Sequence, residues 1–306
     1  MIAYHSGEIA VQGRAGLAQQ AEFSRGAIQN AVPDVAADFL AQQPMIVIGG
    51  TDRDGRIWAT QLTGPPGFLE AAGSTLTIGA LPPPEDPLAG LLTEARTGAP
   101  ARIGMIAIEP ATRRRMRVNG RAVRTGDHLR VALDLVVANC PKYIQKRDHR
   151  ALAPDDGETV RTVVDGTELS ADQQRTLREA DTFFIATASD RGDADASHRG
   201  GNPGFVRVLS PTLLRWPDYV GNAMFMTLGN LERNASAGIL VPGWTTGRAL
   251  HLTGSARTVW DADETAGIPG AQRIVEFAVT GVREVGAASP LRWSDPAYSR
   301  FNPPAA

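Results

Sequence analysis

The sequence predicts a mainly β protein with flanking helices (α+β), built as two small antiparallel β-barrels that pack together as an intrachain pseudo-dimer. The first observation is a repeat: residues 45–76 align without a gap on residues 182–213, so that Gly55 matches Gly192 and Phe68 matches Phe205, in each case 137 positions apart. Such a long fixed period indicates a duplicated domain. The second observation is that each copy contains five or six strand candidates with little helix between them, which is typical of a small closed or split barrel.

The first half begins with helices and continues as strands. Apolar residues at helical spacing predict helices within residues 6–42, the second of them beginning at Pro33. A polar turn with Gly55 then separates the first two strands. The predicted strands are Met45–Gly49, Ile57–Leu62, Leu76–Leu81, Arg102–Ile108, Met116–Val123 and Leu129–Val137. Strict alternation in the last strand predicts one buried and one wet face.

The second half repeats this order after an acidic, turn-rich connection at residues 148–171. Ser170 is the predicted N-cap of a helix that runs to about Ala180. The strands that follow are Phe183–Ala188, Ala194–Gly200, Thr212–Trp216, Ala237–Val241, Ala249–Val259 and Arg273–Val285. A later hairpin matches at a shift of 134, with Gly120 against Gly254. We therefore place one domain at residues 1–150 and the other at 151–306.

Composition excludes several classes of protein and site. A length of 306 residues agrees with two domains, and a net charge of −2 implies no basic face for nucleic acid or anionic membranes. The basic run Arg113–Arg115 follows a proline and is predicted to be a solvated turn. One cysteine permits no internal disulfide, and there is no zinc-ligand spacing, glycine-rich dinucleotide loop or P-loop. The absence of a signal-peptide pattern and of a long apolar stretch predicts a cytoplasmic protein.

The two halves differ most in the strand at residues 194–200. Alternation places Asp195, Ser197 and Arg199 on one face, with His198 on the other. Arg199 replaces Leu62 of the first half, which adds a guanidinium fork suited to a phosphate or carboxylate. The alternative interpretations are an exposed ion-pair residue for Arg199 and a neutral core residue for His198.

Two further segments are more polar than their counterparts. Residues 215–230 contribute Arg215, Trp216, Asn222 and Asn230, whereas residues 78–93 are proline-rich and have no cation. Residues 139–147, at the end of the first barrel, interleave cations with an aromatic ring and amides. Across the interface from Arg199, this segment would complete an anion site, although a solvated strand end remains the alternative. Cys140 is interpreted as a small interface residue because no histidine is fixed near it.

These segments resemble a known family. ADASHRGGNPGFVRVL, PDYVGNAMFMTLGNLERNASAGIL and the hairpin GRALHLTGSA are similar to the pyridoxamine 5′-phosphate oxidase-like FMN-binding split β-barrels. The opening His5-Ser6-Gly7-Glu8 with Gln12, and the CPKYIQ segment at residues 140–145, are similar to a bacterial two-barrel branch of that family. The resemblance covers nearly the whole chain and implies two tandem split barrels with FMN in the groove between them.

The resemblance also implies the binding residues. The implied cofactor-binding residues are Ser197, His198, Arg199, Gly200, Arg215, Pro217, Gly221, Asn222, Asn230, Lys142, Tyr143, Gln145 and Arg147. The first half lacks the matching groups, so one flavin per chain is expected. Where relatives often carry arginines after the Gly-Asn pair, this chain has Ala223-Met224.

The expected function is that of an FMN-dependent oxidoreductase acting on an unknown small molecule, with NAD(P)H a candidate donor and a homodimer a candidate assembly. Lys142 or Arg147 would stabilise the reduced flavin, and His198 would donate a proton because its ordinary pKa lies near neutrality. Recognition of pyridoxine phosphate is not expected. Three alternatives stay open: a non-catalytic flavin or haem carrier, a deazaflavin-dependent reductase, and a structural pseudo-dimer with a dead site.

Overall fold

Helices precede the first sheet. The computed structural model describes residues 3–152 and 160–304. It contains three N-terminal helices: α1 (Ser6–Arg14), α2 (Ala18–Arg25) and α3 (Asp34–Ala41). Helix α1 begins with a capping box, in which His5 accepts from the Gly7 N–H and Glu8 accepts from the His5 N–H at 2.8 Å. Helix α3 begins after Pro33, as the sequence predicts, whereas the single helix predicted before it is divided into α1 and α2.

The first half folds into one seven-stranded antiparallel sheet. Its strands are β1 (Met45–Thr51), β2 (Ile57–Thr63), β3 (Leu69–Ala72), β4 (Thr75–Ile78), β5 (Ala101–Glu109), β6 (Arg114–Thr125) and β7 (His128–Asn139), with helix α4 (Ala89–Thr93) between β4 and β5. The strand order is β2-β1-β5-β6-β7-β4-β3. All strand predictions for this half are confirmed within a few residues, whereas β3 and α4 were not predicted.

Two short strands and a helix connect this half to the next. They are β8 (His149–Ala151), β9 (Thr162–Gly166) and α5 (Ala171–Glu179). Helix α5 begins at Ser170, whose hydroxyl accepts from the Gln173 N–H. The described residues of the connection therefore include two strands and a helix. Residues 153–159 lie outside the described part of the chain.

The second half forms the other large sheet. Its elements are β10 (Thr182–Ala188), β11 (Ala194–Gly200), β12 (Arg207–Ser210), β13 (Leu213–Asp218), α6 (Met226–Arg233), β14 (Ser236–Pro242), β15 (Ala249–Val259), α7 (Ala262–Thr265), β16 (Arg273–Gly286) and β17 (Leu291–Trp293). The order is β11-β10-β14-β15-β16-β13-β12, with β9 paired to β16 and β17 to β8. Helix α6 and strand β12 were not predicted.

The two large sheets have the same strand order. Their contacts repeat as well: the Arg117 Nε–H donates to the Ala196 carbonyl at 3.2 Å, and His251 Nδ1 lies 2.9 Å from the Ala59 carbonyl. These residues are related by the shifts of 134 and 137 seen in the sequence. The mainly β fold with two tandem split barrels is thus confirmed, while the boundary at residue 150 stays a prediction.

Main-chain contact joins the two barrels. Each barrel has its own apolar core, and a third apolar cluster lies between them, including Val47, Ile106 and Phe184. A Cβ placed on Gly104 would lie 2.3 Å from the Asp195 Cα, and one on Gly238 would lie 2.5 Å from the Ile57 carbonyl oxygen. The backbones of the two halves therefore meet directly, which only glycine permits at these places.

The alternation predicted for β7 does not continue to its end. Leu129, Val131 and Leu133 enter the first core, but a register shift at Asn119/Gly120 of the paired strand β6 changes the faces beyond them. Val136 then joins the first core, and the adjacent Val137 is also buried, against Met224 and Met226. The prediction of one buried and one wet face is wrong beyond Leu133.

No helix in the described ranges is long and apolar enough to cross a membrane.

Glu8 gives the first testable prediction. Its carboxyl group is buried where α1 packs on α6, and burial raises its pKa to about 7, with nearby Asp195 acting in the same direction. Because the folded-state pKa exceeds the ordinary value of 4.5, stability is lost as pH rises from 4.5 through 7. Glu8→Gln keeps the acceptor of the capping box without the charge. The variant is expected to be more stable than the parent by about 1–3 kcal/mol at pH 8, with no gain at pH 4.

The measurement is denaturant unfolding of both proteins at the two pH values. Glu22→Gln is the matched control, because Glu22 lies on α2 with an exposed side chain. A gain for Glu8→Gln of the same size at pH 4 and pH 8 would contradict the role assigned to its ionisation.

Candidate functional site

An open cleft lies between the two barrels. The first barrel contributes the ends of β6 and β7 and the segment that follows, and the second contributes β11, the loop after β13 and the start of α6. The cleft encloses about 1120 Å³, a volume that includes space open to solvent. Its polar and charged lining side chains are Arg115, Arg117, Asn139, Lys142, Tyr143, Ser197, His198, Arg199, Asp218, Tyr219, Asn222, Thr227, Gln272 and Arg273.

Cations outnumber acids in this lining. Arg273 is paired with Asp218 at 3.1 Å, and Arg117 with Asp195 at 2.8 Å. Within the described parts of the chain, no carboxylate lies within ion-pair distance of Arg115 or Arg199. Two guanidinium groups therefore face the cleft with no carboxylate in direct contact, although the charges of Asp218 and Asp195 still act on Arg199. This arrangement favours an anionic ligand.

The crowding of cations in the cleft affects the pKa of Arg115. Burial lowers its pKa to about 9, and the positive charges of Arg117 and Arg199 act in the same direction. Its Nη1 lies 2.9 Å from Nδ1 of His198, while its Nε is buried without a partner. An anion entering the cleft would remove this repulsion and supply the missing acceptor.

His198 is held as a neutral imidazole. Burial lowers its pKa well below the ordinary value, and Arg115 and Arg199 lower it further. Since Arg115 can only donate, Nδ1 of His198 accepts and Nε2 carries the proton. The sequence predicts that His198 donates a proton because its pKa would lie near neutrality. That reason is wrong. What the side chain offers is a buried Nε2–H with no partner in the described structure.

A buried polar network joins the barrels beside His198. The Arg117 guanidinium contacts Ser197 Oγ as well as Asp195, and Asn119 Nδ2 donates to Asp195 at 3.1 Å. Thr227, in the first turn of α6, donates to Ser197 Oγ at 2.9 Å. The Ser197 hydroxyl in turn donates to Asp195 at 3.2 Å, so Ser197 is fixed from three sides at the floor of the cleft.

The loop at residues 219–225 forms one wall. The Tyr143 hydroxyl donates to the Val220 carbonyl at 3.1 Å, and its ring packs on Tyr219 with centroids 5.1 Å apart. The N-terminal helices hold the same loop: Ser24 Oγ donates to the Asn222 carbonyl at 2.8 Å, and Gln12 Nε2 donates to that of Met224 at 3.1 Å. Groups from both ends of the first half therefore position this wall.

Most sequence-predicted residues meet in the cleft. Those that line it are Ser197, His198, Arg199, Gly200, Pro217, Gly221, Asn222, Lys142 and Tyr143. Gly200 is required there, because a Cβ would lie 2.1 Å from the Tyr143 carbonyl oxygen. Their role in binding a cofactor stays a prediction.

Arg215 and Asn230 do not line the cleft. Trp216 enters the second core, and the neighbouring Arg215 pairs instead with Glu276 at 2.7 Å and Glu264 at 2.9 Å. Asn230, in the middle of α6, donates to Thr187 Oγ1 at 3.0 Å on the side away from the cleft lining. Both side chains are held by protein partners.

Gln145 and Arg147 also lie outside the cleft. The Gln145 amide donates to the Gly201 carbonyl at 3.1 Å and accepts from the Ser299 N–H at 2.9 Å. Arg147 forms a buried ion pair with Asp181 at 2.6 Å. These two residues fasten the end of the first barrel to the second, so the structure gives Arg147 no place beside a ligand in the cleft.

Sequence reasoning missed Arg115, Arg117 and Arg273. The prediction of a solvated turn fits Arg113, which has a left-handed φ of 57°, and the exposed Arg114, but it is wrong for Arg115. Alternation along β6 was the available signal. Because Met116 enters the first core, the residues on either side of it face the opposite way, toward the second barrel.

The comparison with protein families bears on the second barrel. Residues 169–293 match the model of the pyridoxamine 5′-phosphate oxidase family. The second barrel belongs to this pyridoxamine 5′-phosphate oxidase-like family. The resemblance expected from the ADASHRGGNPGF segment is thereby confirmed, and the two-barrel branch stays an expectation.

Several solved structures are similar to one pyridoxamine 5′-phosphate oxidase-like barrel. HupZ of Group A Streptococcus shares 11% identity, with 36% of this chain and 89% of that chain covered and a TM-score of 0.30. An FAD-binding protein of Mycobacterium smegmatis shares 16%, covering 40% and 98%, with a TM-score of 0.29. A pyridoxamine 5′-phosphate oxidase-related, FMN-binding protein of Nostoc punctiforme shares 12%, covering 41% and 91%, with a TM-score of 0.27. No curated protein matches the chain.

Residues 3–152 and 160–304 contain no group of three or more side chains able to hold a metal ion.

Proposed function

We propose that the chain binds FMN in the inter-barrel cleft and acts as a flavin-dependent oxidoreductase on a small molecule. The observation that carries the proposal is the pair of arginines, Arg115 and Arg199, that line the cleft with no carboxylate in direct contact. Membership of the second barrel in the pyridoxamine 5′-phosphate oxidase-like family supports a flavin as the anion's source.

The residues present fit such a cofactor. Three buried polar atoms of cleft-lining residues have no partner: Arg115 Nε, His198 Nε2 and Asn139 Oδ1. Two of these are donors and one is an acceptor, and buried polar atoms normally find partners. A phosphate would be held by Arg115 and Arg199, with Lys142 adding charge at the edge, and the polar rim of a flavin ring can meet the remaining donor and acceptor.

When bound, the flavin would supply hydride or electron transfer between a donor and an acceptor. The chain's own part is to bind, orient and tune. Arg115 holds His198 in the tautomer with the proton on Nε2, so this side chain offers a fixed, uncharged donor. The Tyr143–Tyr219 pair and Phe225 supply apolar surface that limits water in the cleft.

The same tautomer argues against the haem alternative. An axial histidine binds iron through an unprotonated nitrogen, and in His198 the contact with Arg115 leaves the proton on Nε2. His251 is buried against the Ala59 carbonyl, outside the cleft lining. The chain's cytoplasmic location, its use of NAD(P)H and its pairing as a homodimer remain parts of the proposal.

The test is the visible absorption spectrum of the purified protein before and after heat release of bound chromophore. We expect flavin bands and about one FMN released per chain. Apoprotein should then bind FMN at least 10-fold more tightly than riboflavin, which has the same ring system without the phosphate. A Soret band, or a colourless protein that takes up no FMN, would refute the proposal.

A further inference from the structure

The first barrel contains a counterpart of the candidate site. The shift of 137 relates Thr60 to Ser197, Asp86 to Ala223 and Leu88 to Phe225. The shift of 134 relates His251 to Arg117, and these two side chains make matching contacts to the Ala59 and Ala196 carbonyls. Helix α4 likewise stands where α6 stands in the second half.

In this counterpart the position of Ala223 is taken by a buried carboxylate. Asp86 is 8% exposed, and its two oxygens have separate donors: the Thr60 hydroxyl for one, and the Leu88 N–H, at 2.8 Å, for the other. Burial raises the pKa of Asp86 and lowers that of His251, while the charge of each group and the donors Thr60 and Leu88 oppose these shifts and favour the carboxylate. Hydrogen-bond donors thus surround a carboxylate that is part of the chain, although the first barrel has Leu62 and Ala249 where the cleft has Arg199 and Arg115.

We propose that Asp86 is an internal anion that occupies the first barrel's copy of the ligand site, and that its removal would create a site for a small oxyanion. The chain therefore holds one ligand per pseudo-dimer because its own side chain fills the second place. This limit to one ligand rests on the proposed function, whereas the latent oxyanion site does not.

The backbone around Asp86 is suited to a permanent occupant. Three prolines precede it at residues 82–84 and Pro87 follows it, which restricts the φ angles of the segment. Leu88 and Leu92 anchor the next turn in the first core. The carboxylate is thereby presented by a stiff segment and needs little ordering to stay in place.

In the second barrel, the position equivalent to Asp86 is Ala223, which has no polar side chain. It lines the cleft with a left-handed φ of 61°, a conformation that Asp tolerates better than most residues. Ser197, the counterpart of Thr60, lines the same cleft. The Ser197 hydroxyl already donates to Asp195 at 3.2 Å, so an external anion here would meet the cleft-lining arginines Arg115 and Arg199.

The first experiment is anion rescue. Asp86→Ala removes a carboxylate the size of formate, so 100 mM sodium formate should raise the melting temperature of this variant by at least about 2 °C more than sodium chloride does. The parent protein and Asp54→Ala, which loses an exposed carboxylate, should show no such difference. Equal effects of formate and chloride on Asp86→Ala would overturn the proposal.

The second experiment moves the carboxylate to the open cleft. Ala223→Asp should weaken FMN binding at least 10-fold while leaving the melting temperature of the apoprotein within about 2 °C, and Ala223→Asn, without the charge, should weaken it less. Unchanged FMN affinity in Ala223→Asp would overturn the equivalence of the two places. If the parent itself binds no FMN, the proposed function fails, and the formate experiment still decides whether Asp86 fills an anion site.

Discussion

Replacing Arg199 by alanine is expected to weaken FMN binding by about 1.5–3 kcal/mol, roughly 10- to 150-fold, because charge-assisted hydrogen bonds to a phosphate would be lost. Arg199 lines the cleft, and its guanidinium donates to the carbonyl of His198 at 3.2 Å. Binding should be measured by fluorescence titration of apoprotein with FMN and, in parallel, with riboflavin. The affinity for riboflavin should change little, since it has no phosphate.

Arg215 supplies the matched control for this experiment. It was an equal candidate from the sequence, but it is paired with Glu276 and Glu264 outside the cleft. Arg215→Ala should leave FMN affinity unchanged. The assignment of Arg199 fails if both variants lose FMN affinity equally, or if Arg199→Ala weakens riboflavin as much as FMN.

Replacing Arg117 by methionine is expected to destabilise the protein by about 3–5 kcal/mol, the cost of leaving a buried charge without its partner. The Arg117–Asp195 pair joins the barrels at 2.8 Å, with both side chains less than 10% exposed. Asn119 and the Ser197 hydroxyl would remain as donors to Asp195. Guanidinium unfolding of the apoprotein, followed by tryptophan fluorescence, measures the loss.

A double replacement separates the charge from the packing. Arg117→Met with Asp195→Leu should recover much of the stability, because neither charge is then buried alone. Arg121→Ala is the control: its pair with Asp134 is about half exposed on both sides and should cost at most about 1 kcal/mol. A double variant less stable than Arg117→Met alone would show that Asp195 does not depend on Arg117 for its charge balance.

The repeat made the fold predictable. Once residues 45–76 are matched to 182–213, each strand found in one half supports its counterpart in the other, and the two sheets do have one strand order. Helix α6 was not predicted because its N-cap, Phe225, is in a left-handed conformation and offers no capping side chain that the sequence would show. The bulge at Asn119/Gly120 also leaves no local signal strong enough to show where β7 changes its faces.

The site residues that lie on a single strand were predictable from the sequence. Those whose contacts form only when the two barrels dock were not. Ser197, His198 and Arg199 lie together on β11, so the contrast with the first half was sufficient. Arg115 comes from the other barrel, and its pairing with His198 depends on how the barrels dock. Arg215 and Arg147 were equally cationic in the sequence, but acids distant along the chain, Glu276 and Asp181, neutralise them.

The glycine contacts between the barrels have a consequence for how a ligand enters. Because main chain meets main chain at Gly104 and Gly238, the barrels cannot slide or hinge on soft side chains. The wall at residues 219–225 is held by hydrogen bonds from Tyr143, Ser24 and Gln12 and by the packing of Met224 and Phe225. The docked barrels therefore fix the width that a ligand must fit when it enters the cleft.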